Sequence, residues 1–148
     1  MKTIITTITA AVLMITSLSS FAANPNENNS LSNSGKTISA YISSLTEGSD
    51  GLNEMIFAKE FEYTNAADVS QRKYSRKQYL KFLKQNKGLK FDCRTTFTLL
   101  DETGNTSVAK VTMQFEDFTR VDYITMHQVD GTWQVSKVVT SYPAATTR

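Results

Sequence analysis

Few side chains in this 148-residue chain could carry out bond-making chemistry. There is one imidazole, His127, and one thiol, Cys93. Any Ser-His or Cys-His nucleophile must therefore use His127, and no Gly-x-Ser-x-Gly elbow supplies a serine for it. One thiol and one imidazole also fall short of an ordinary zinc site, and a lone cysteine forms no internal disulfide. Neither a metal nor a cofactor is expected. Cys93 shares a predicted strand face with Phe91, Thr95 and Phe97, which reads as a buried small hydrophobe. Glu60 and Glu62 alternate with Phe61 and Tyr63 along "KEFEYTN", so the carboxylates belong on the solvated face of a strand. The stretch "SLSNSGKT" ends like a phosphate-binding loop, but Ser30 stands where the first glycine is required and no strand precedes it.

Charge gives a second set of candidates. Arg72, Lys73, Arg76, Lys77, Lys81, Lys84, Lys87 and Lys90 follow one another with no acidic residue between Val69 and Phe91. Such a run can dock on an anionic surface. It can equally be a solvated helix face balanced by Glu47, Asp50, Glu54, Glu60 and Glu62 just upstream. No nucleic-acid motif accompanies it, so no nucleic-acid partner is expected.

These residues sit on a readable order of elements. "MKTIITTITAAVLMITSLSSFAA" has Lys2, an apolar run, and small residues at Ser20 and Ala22. It reads as a signal peptide over residues 1–22, which implies export to the periplasm or beyond and no integral membrane segment. Removing Lys2 from the 16 basic residues leaves 15 against 14 acidic ones, a net charge of +1. Residues 23–35, rich in Asn and Ser, read as a flexible leader, residues 36–142 as one domain, and residues 143–148 as a polar tail. From Lys36, the residues Ile38, Tyr41, Ile42 and Leu45 form a helical stripe. Asp50 is placed to cap a short second helix bearing Leu52, Met55 and Ile56. After the "KEFEYTN" strand, Ser75 to Lys87 predicts a third helix with Tyr79, Leu80, Phe82 and Leu83 on its apolar side. Four strands follow, over "LKFDCRTTFTLL", "SVAKVTMQF", "VDYITMHQ" and "TWQVSKVVTSY". Helices first and a meander after them indicate an α+β domain.

The last hairpin fixes the facing of His127. A two-residue Asp130-Gly131 turn sets Met126 opposite Val135 and His127 opposite Gln134. Ile124, Met126, Trp133 and Val135 then share one face, with His127 and Tyr123 on the other. A one-residue bulge would reverse the assignment.

The order helix, short helix, strand, long helix and four strands resembles the NTF2-like superfamily with its cystatin-like cone. "ISAYISSLTEGSDGLNEMIF", "FEYTN", "SRKQYLKFLK", "VAKVTMQF" and "DYITMHQVDGTWQVSKV" carry the resemblance, across residues 37–142. Within it, the chain is most similar to small exported bacterial proteins described as lumazine-binding or SnoaL-like. The resemblance implies a cone in which three N-terminal helices pack on a strongly curved, mainly antiparallel sheet. Isomerase-type members use a tyrosine of the first helix as oxyanion donor, and Tyr41 matches it. Their proton-abstracting carboxylate falls on Asn65, an amide with no useful basicity. The second oxyanion acid falls near Tyr123, in conflict with the facing given by the hairpin. The expectation is a noncatalytic domain that binds a small, fairly apolar ligand or serves as an interaction module, paired as a homodimer through its sheet. The alternative is an isomerase- or cyclase-type enzyme using Tyr41 with another base. Tyr41, Tyr63, Asn65, Tyr79, Met113, Tyr123 and Trp133 are the candidate pocket residues, and none is assigned as catalytic.

Overall fold

The computed structural model describes residues 33–144. The expected signal peptide, most of the expected leader and the last four residues of the expected tail lie outside them. Among the described residues, no helix is long and apolar enough to cross a membrane. The elements run α1 (Asn33–Thr46), α2 (Asn53–Ile56), β1 (Phe57–Asn65), β2 (Lys73–Ser75), α3 (Arg76–Gln85), β3 (Arg94–Thr103), β4 (Thr106–Gln114), β5 (Thr119–Val129) and β6 (Thr132–Ser141).

The six strands form one curved mixed sheet in the order β2-β1-β6-β5-β4-β3. All neighbours are antiparallel except β1 and β6, which run parallel. A parallel pair needs a long crossover, here everything from β2 to β5. The core fills the concave side. Ile38, Tyr41 and Leu45 of α1 and Tyr79 and Leu83 of α3 meet Ala109, Val111, Met113, Ile124, Met126, Val135 and Val138 there. Thr37 fixes α1 across β6 by donating its hydroxyl to the Trp133 carbonyl at 3.3 Å.

Helix α3 starts where its sequence provides a reciprocal cap. The Ser75 hydroxyl accepts from Gln78 N–H, and Gln78 Oε1 accepts from Ser75 N–H at 2.8 Å. This Ser-x-x-Gln box satisfies two otherwise orphaned donors. Asn86 ends the helix by donating from Nδ2 to the Phe82 carbonyl at 2.8 Å.

The last hairpin has the expected register, with Val129 opposite Thr132, Met126 opposite Val135 and His127 opposite Gln134. Asp130 and Gly131 take φ of 49° and 78°, the left-handed pair that a two-residue hairpin turn requires. A bulge then follows. Thr125 pairs with Lys137 while Met126 pairs with Val135, so Ser136 is the additional residue in β6. The inward face of β6 consequently changes parity, from Trp133 and Val135 to Val138 and Thr140.

Several expectations are corrected. Helix α3 follows β1 and β2, so among the described residues two helices precede the sheet, and β2 pairs with β1 where a loop was expected. Its three residues are too few to show a period. Helix α1 begins at Asn33, inside the expected leader, because Ser34 and Gly35 are already buried. Asp50 does not cap α2: Leu52 holds the N-cap position without a side-chain bond, and Asp50 pairs with Lys87 at 2.9 Å. Leu52 and Met55 are exposed, leaving Ile56 as the buried apolar residue of that turn. Strand β3 begins at Arg94 rather than Leu89 and runs on to Thr103. Cys93 therefore precedes the strand and is only half-buried.

Candidate functional site

The feature that organises the inner wall is a carboxylate. Asp122 of β5 is fully buried, and four hydrogen bonds converge on it. Arg120 donates from Nε to Oδ1 at 2.9 Å and from Nη2 to Oδ2 at 3.1 Å. The Thr140 hydroxyl donates to Oδ1 at 2.6 Å, and the Tyr41 hydroxyl to Oδ2 at 2.7 Å. Bonds of this charge-assisted kind are what allow an ion to remain in a core. Burial alone would pull the Arg120 guanidinium down, but the Asp122 charge reverses this and holds it above its ordinary value.

Strand geometry accounts for the cluster. Arg120 and Asp122 have the parity of Ile124 and Met126 and so face inward, and the bulge at Ser136 turns Thr140 inward to meet them. Tyr41 reaches from the middle of α1. Its single hydroxyl proton goes to Asp122, so when Tyr79 approaches at 3.5 Å the Tyr79 hydroxyl is the donor. Burial, then the neighbouring Asp122 charge, raises the Tyr41 hydroxyl well above its ordinary value, and burial likewise raises Tyr79. Both remain protonated donors at neutral pH.

Outside this cluster, a cleft of about 510 Å³ opens between β1, β2 and α3. Tyr63, Tyr74, Tyr79 and Phe82 give it aromatic walls, and Asn65, Asp68, Gln78, Lys81, Gln85 and Arg120 give it polar ones. Tyr79 stacks on Tyr63 with ring centroids 5.1 Å apart and 29° between planes. It also meets Phe61 and Phe57 at 5.0 and 5.4 Å. Tyr63 leans on Tyr74 at 6.0 Å. Each such pair contributes about 0.5–1.5 kcal/mol beyond the area it buries, so the walls are set before any ligand arrives.

The candidate residues separate accordingly. Tyr63, Asn65 and Tyr79 line the cleft together, and Tyr41 stands directly behind Tyr79. Met113 is fully enclosed, and Trp133 is buried in the core where α1 crosses β6; neither lines the cleft. Tyr123 is corrected outright: it lies on the outer face of the sheet, 42% exposed. The inward position beside it on β5 is held by Asp122. Sequence reading missed Arg120, Asp122 and Thr140. Shared parity with Ile124 and Met126 was the available signal for the first two. His127 also faces outward, its Nδ1 3.3 Å from the Thr106 hydroxyl.

Asn65 ends β1 with its Oδ1 accepting from Ala67 N–H at 2.9 Å. That bond fixes the amide with its Nδ2 donor unengaged among the described residues. Asp68 is the carboxylate among the cleft-lining residues. Ser70 N–H and the Ser70 hydroxyl both donate to its Oδ1, at 2.9 and 2.8 Å, and the hydroxyl bond leads in holding its pKa below the ordinary carboxylate value.

The basic run is partly neutralised. Lys73 pairs with Glu62 at 3.2 Å, Arg76 with Glu54 at 2.8 Å and Lys87 with Asp50 at 2.9 Å. These are partners the preceding acidic residues were expected to supply, and exposed pairs of this kind contribute little to stability.

A family model described as "Putative lumazine-binding" matches residues 31–140. No curated protein matches the chain. Among solved structures, an NTF2-like protein of unknown function from Silicibacter pomeroyi is similar at 15% identity, with a TM-score of 0.62 over 73% of this chain and 91% of that one. Another, from Shewanella baltica, reaches a TM-score of 0.63 at 12% identity over 76% and 93%. A Caulobacter vibrioides protein with a cystatin-like fold gives 0.57 at 13% identity over 74% and 87%. At these identities the likeness is one of fold.

Proposed function

The chain belongs to the family described as "Putative lumazine-binding" and has the fold of NTF2-like proteins, and on that premise we propose that it is an exported, noncatalytic domain that binds a small planar molecule in the cleft between β1, β2 and α3. The observation that carries this reading is the aromatic lining of that cleft, held in place by ring contacts to the core. Pre-formed concave sites with apolar walls and a few polar groups suit small ligands.

The noncatalytic half is supported by how the reactive groups are engaged. Tyr41 gives its proton to Asp122, Asp122 is saturated by four donors, and the expected base position holds the amide of Asn65. The carboxylate of the cleft lining, Asp68, is held by Ser70 below the ordinary carboxylate range, away from the near-neutral value a general base needs, and an enolate would find the Tyr41 proton already engaged. Export rests on the N-terminal sequence. Pairing through the sheet belongs to the same reading, supported by an outer face that exposes Tyr123 and Val129.

The test is a solution NMR titration of the mature domain with a panel of planar heteroaromatic compounds, lumazine included. Ring resonances of Tyr63, Tyr74 and Tyr79 are expected to shift on binding, and the compound is expected to be recovered unchanged after prolonged incubation. No shift with any member of the panel would overturn the binding half of the proposal, and turnover would overturn the noncatalytic half.

A further inference from the structure

The polar groups of the cleft are unequal in kind. Both amides whose bonds are fixed have their oxygens occupied: Asn65 Oδ1 by Ala67 N–H at 2.9 Å and Gln78 Oε1 by Ser75 N–H at 2.8 Å. With one lone pair of each oxygen taken, the NH₂ group of each amide is its wholly unengaged side among the described residues. Arg120 engages Nε and Nη2 with Asp122 and Thr140, and its Nη1 makes no hydrogen bond among the described residues. Nη1 is not among the fully enclosed polar atoms that lack partners, and Arg120 lines the cleft, so Nη1 is the Arg120 donor open to an occupant. Lys81 adds an ammonium at the rim. Against these donors stand two carboxylates: Asp122, buried behind the cleft and already paired with Arg120, and Asp68 in the lining, with Oδ1 taken by two bonds from Ser70.

A cleft rich in unengaged donors leaves them unpaired against a ligand without acceptors, and buried unpaired donors are costly. From this we infer that the occupant is a small aromatic acid, its ring held by Tyr63, Tyr79 and Phe82 and its carboxylate accepting from Arg120 Nη1 and Asn65 Nδ2. The inference rests on the proposed small-molecule function and names its ligand class. Asn65 gains a role by it. At the place where relatives of the isomerase type carry a base, this chain offers a donor that fits an anion, and a carboxylate there would repel one.

The test is isothermal titration of the mature domain with three acids, benzoate, 4-hydroxybenzoate and 2-naphthoate, each against its neutral amide, and with acetate as an anion lacking a ring. The acids are expected to bind at least about tenfold more tightly than their amides, a difference set by one or two charge-assisted bonds. Acetate is expected to give no heat. Asn65→Asp keeps the Ala67 bond and is expected to weaken the acids about tenfold more than it weakens the amides, since only the acids meet a like charge. Lys81→Glu, on an exposed position of α3, is expected to act in the same direction without risk to folding. Amides binding as tightly as acids would overturn the inference and leave the small-molecule reading standing. Failure of all six ring compounds alongside a silent NMR panel would overturn both.

Discussion

Replacing Tyr41 by Phe removes one O–H from the buried Asp122, and with it the acceptor of the longer Tyr79 contact at 3.5 Å, while leaving the ring in place, so it probes whether that hydroxyl is structural. The bond is 2.7 Å long, reaches an ion, and lies between two fully buried residues. Loss of a hydrogen bond to a charged group costs about 1.5–3 kcal/mol. About 2 kcal/mol in a domain of this size corresponds to a fall in Tm of roughly 6–12 °C. Asp122→Asn removes the charge that balances Arg120, whose side chain is 11% exposed, and breaking a buried pair costs about 3–5 kcal/mol. Because the two changes disrupt one network, the double variant should be more stable than their sum implies, by about 1–2 kcal/mol. Urea unfolding of the four proteins, followed by the fluorescence of the buried Trp133, completes the cycle. If Tyr41→Phe fell within about 0.5 kcal/mol of the parent, or if the cycle were additive, the hydroxyl would not be anchored on Asp122. The assignment of Tyr41 to scaffold rather than chemistry would then fail.

Two further outcomes follow from the geometry. Tyr41 and Tyr79 hold their protons above the ordinary tyrosine value when folded, whereas the unfolded chain releases them near pH 10. The stability linked to them is complete below about pH 10 and is lost as pH rises above it; in a titration followed at 295 nm, these two phenols should ionise only together with loss of the Trp133 signal, and early ionisation of all six tyrosines with the fold intact would refute this. Gly48→Ala should destabilise by about 1–3 kcal/mol, since φ is +61° and a Cβ would lie 2.4 Å from Gly88 N and 2.8 Å from Leu89 N; an unchanged urea midpoint would show that the two loops do not meet backbone to backbone.

Much of the fold was legible because its signals are local. The Asp130-Gly131 turn, the stripe of Ile38, Tyr41 and Leu45, and the alternation of Val111 and Met113 each state a period within a few residues. The parallel pairing of β1 with β6 was not legible, because it joins segments from opposite ends of the domain and leaves no local pattern. The candidate site was half legible. Tyr63, Asn65 and Tyr79 come from positions that periodicity turns inward. Asp122 was passed over because a charged residue in an apolar alternation reads as an interruption, although its parity with Ile124 marks it as inward. Thr140 could not be found at all, since its facing depends on the bulge at Ser136, and nothing in "WQVSKVV" announces an additional residue.

The parallel pairing of the first strand with the last has a kinetic side. Tyr63, Tyr74 and Tyr79 belong to the early part of the chain, while Arg120 and Thr140 arrive with β5 and β6. Tyr63 pairs with Val138 and Asn65 with Thr140, so closing the cleft means closing a loop of more than seventy residues. Long-range pairings of this sort are slow to form. Strands β3 to β6 are joined by short hairpins and can assemble by themselves, so the meander should gain protection from hydrogen exchange first. The β1-β2-α3 wall docks onto it afterwards, and a nascent chain cannot own a finished binding cleft until its final strand has been made.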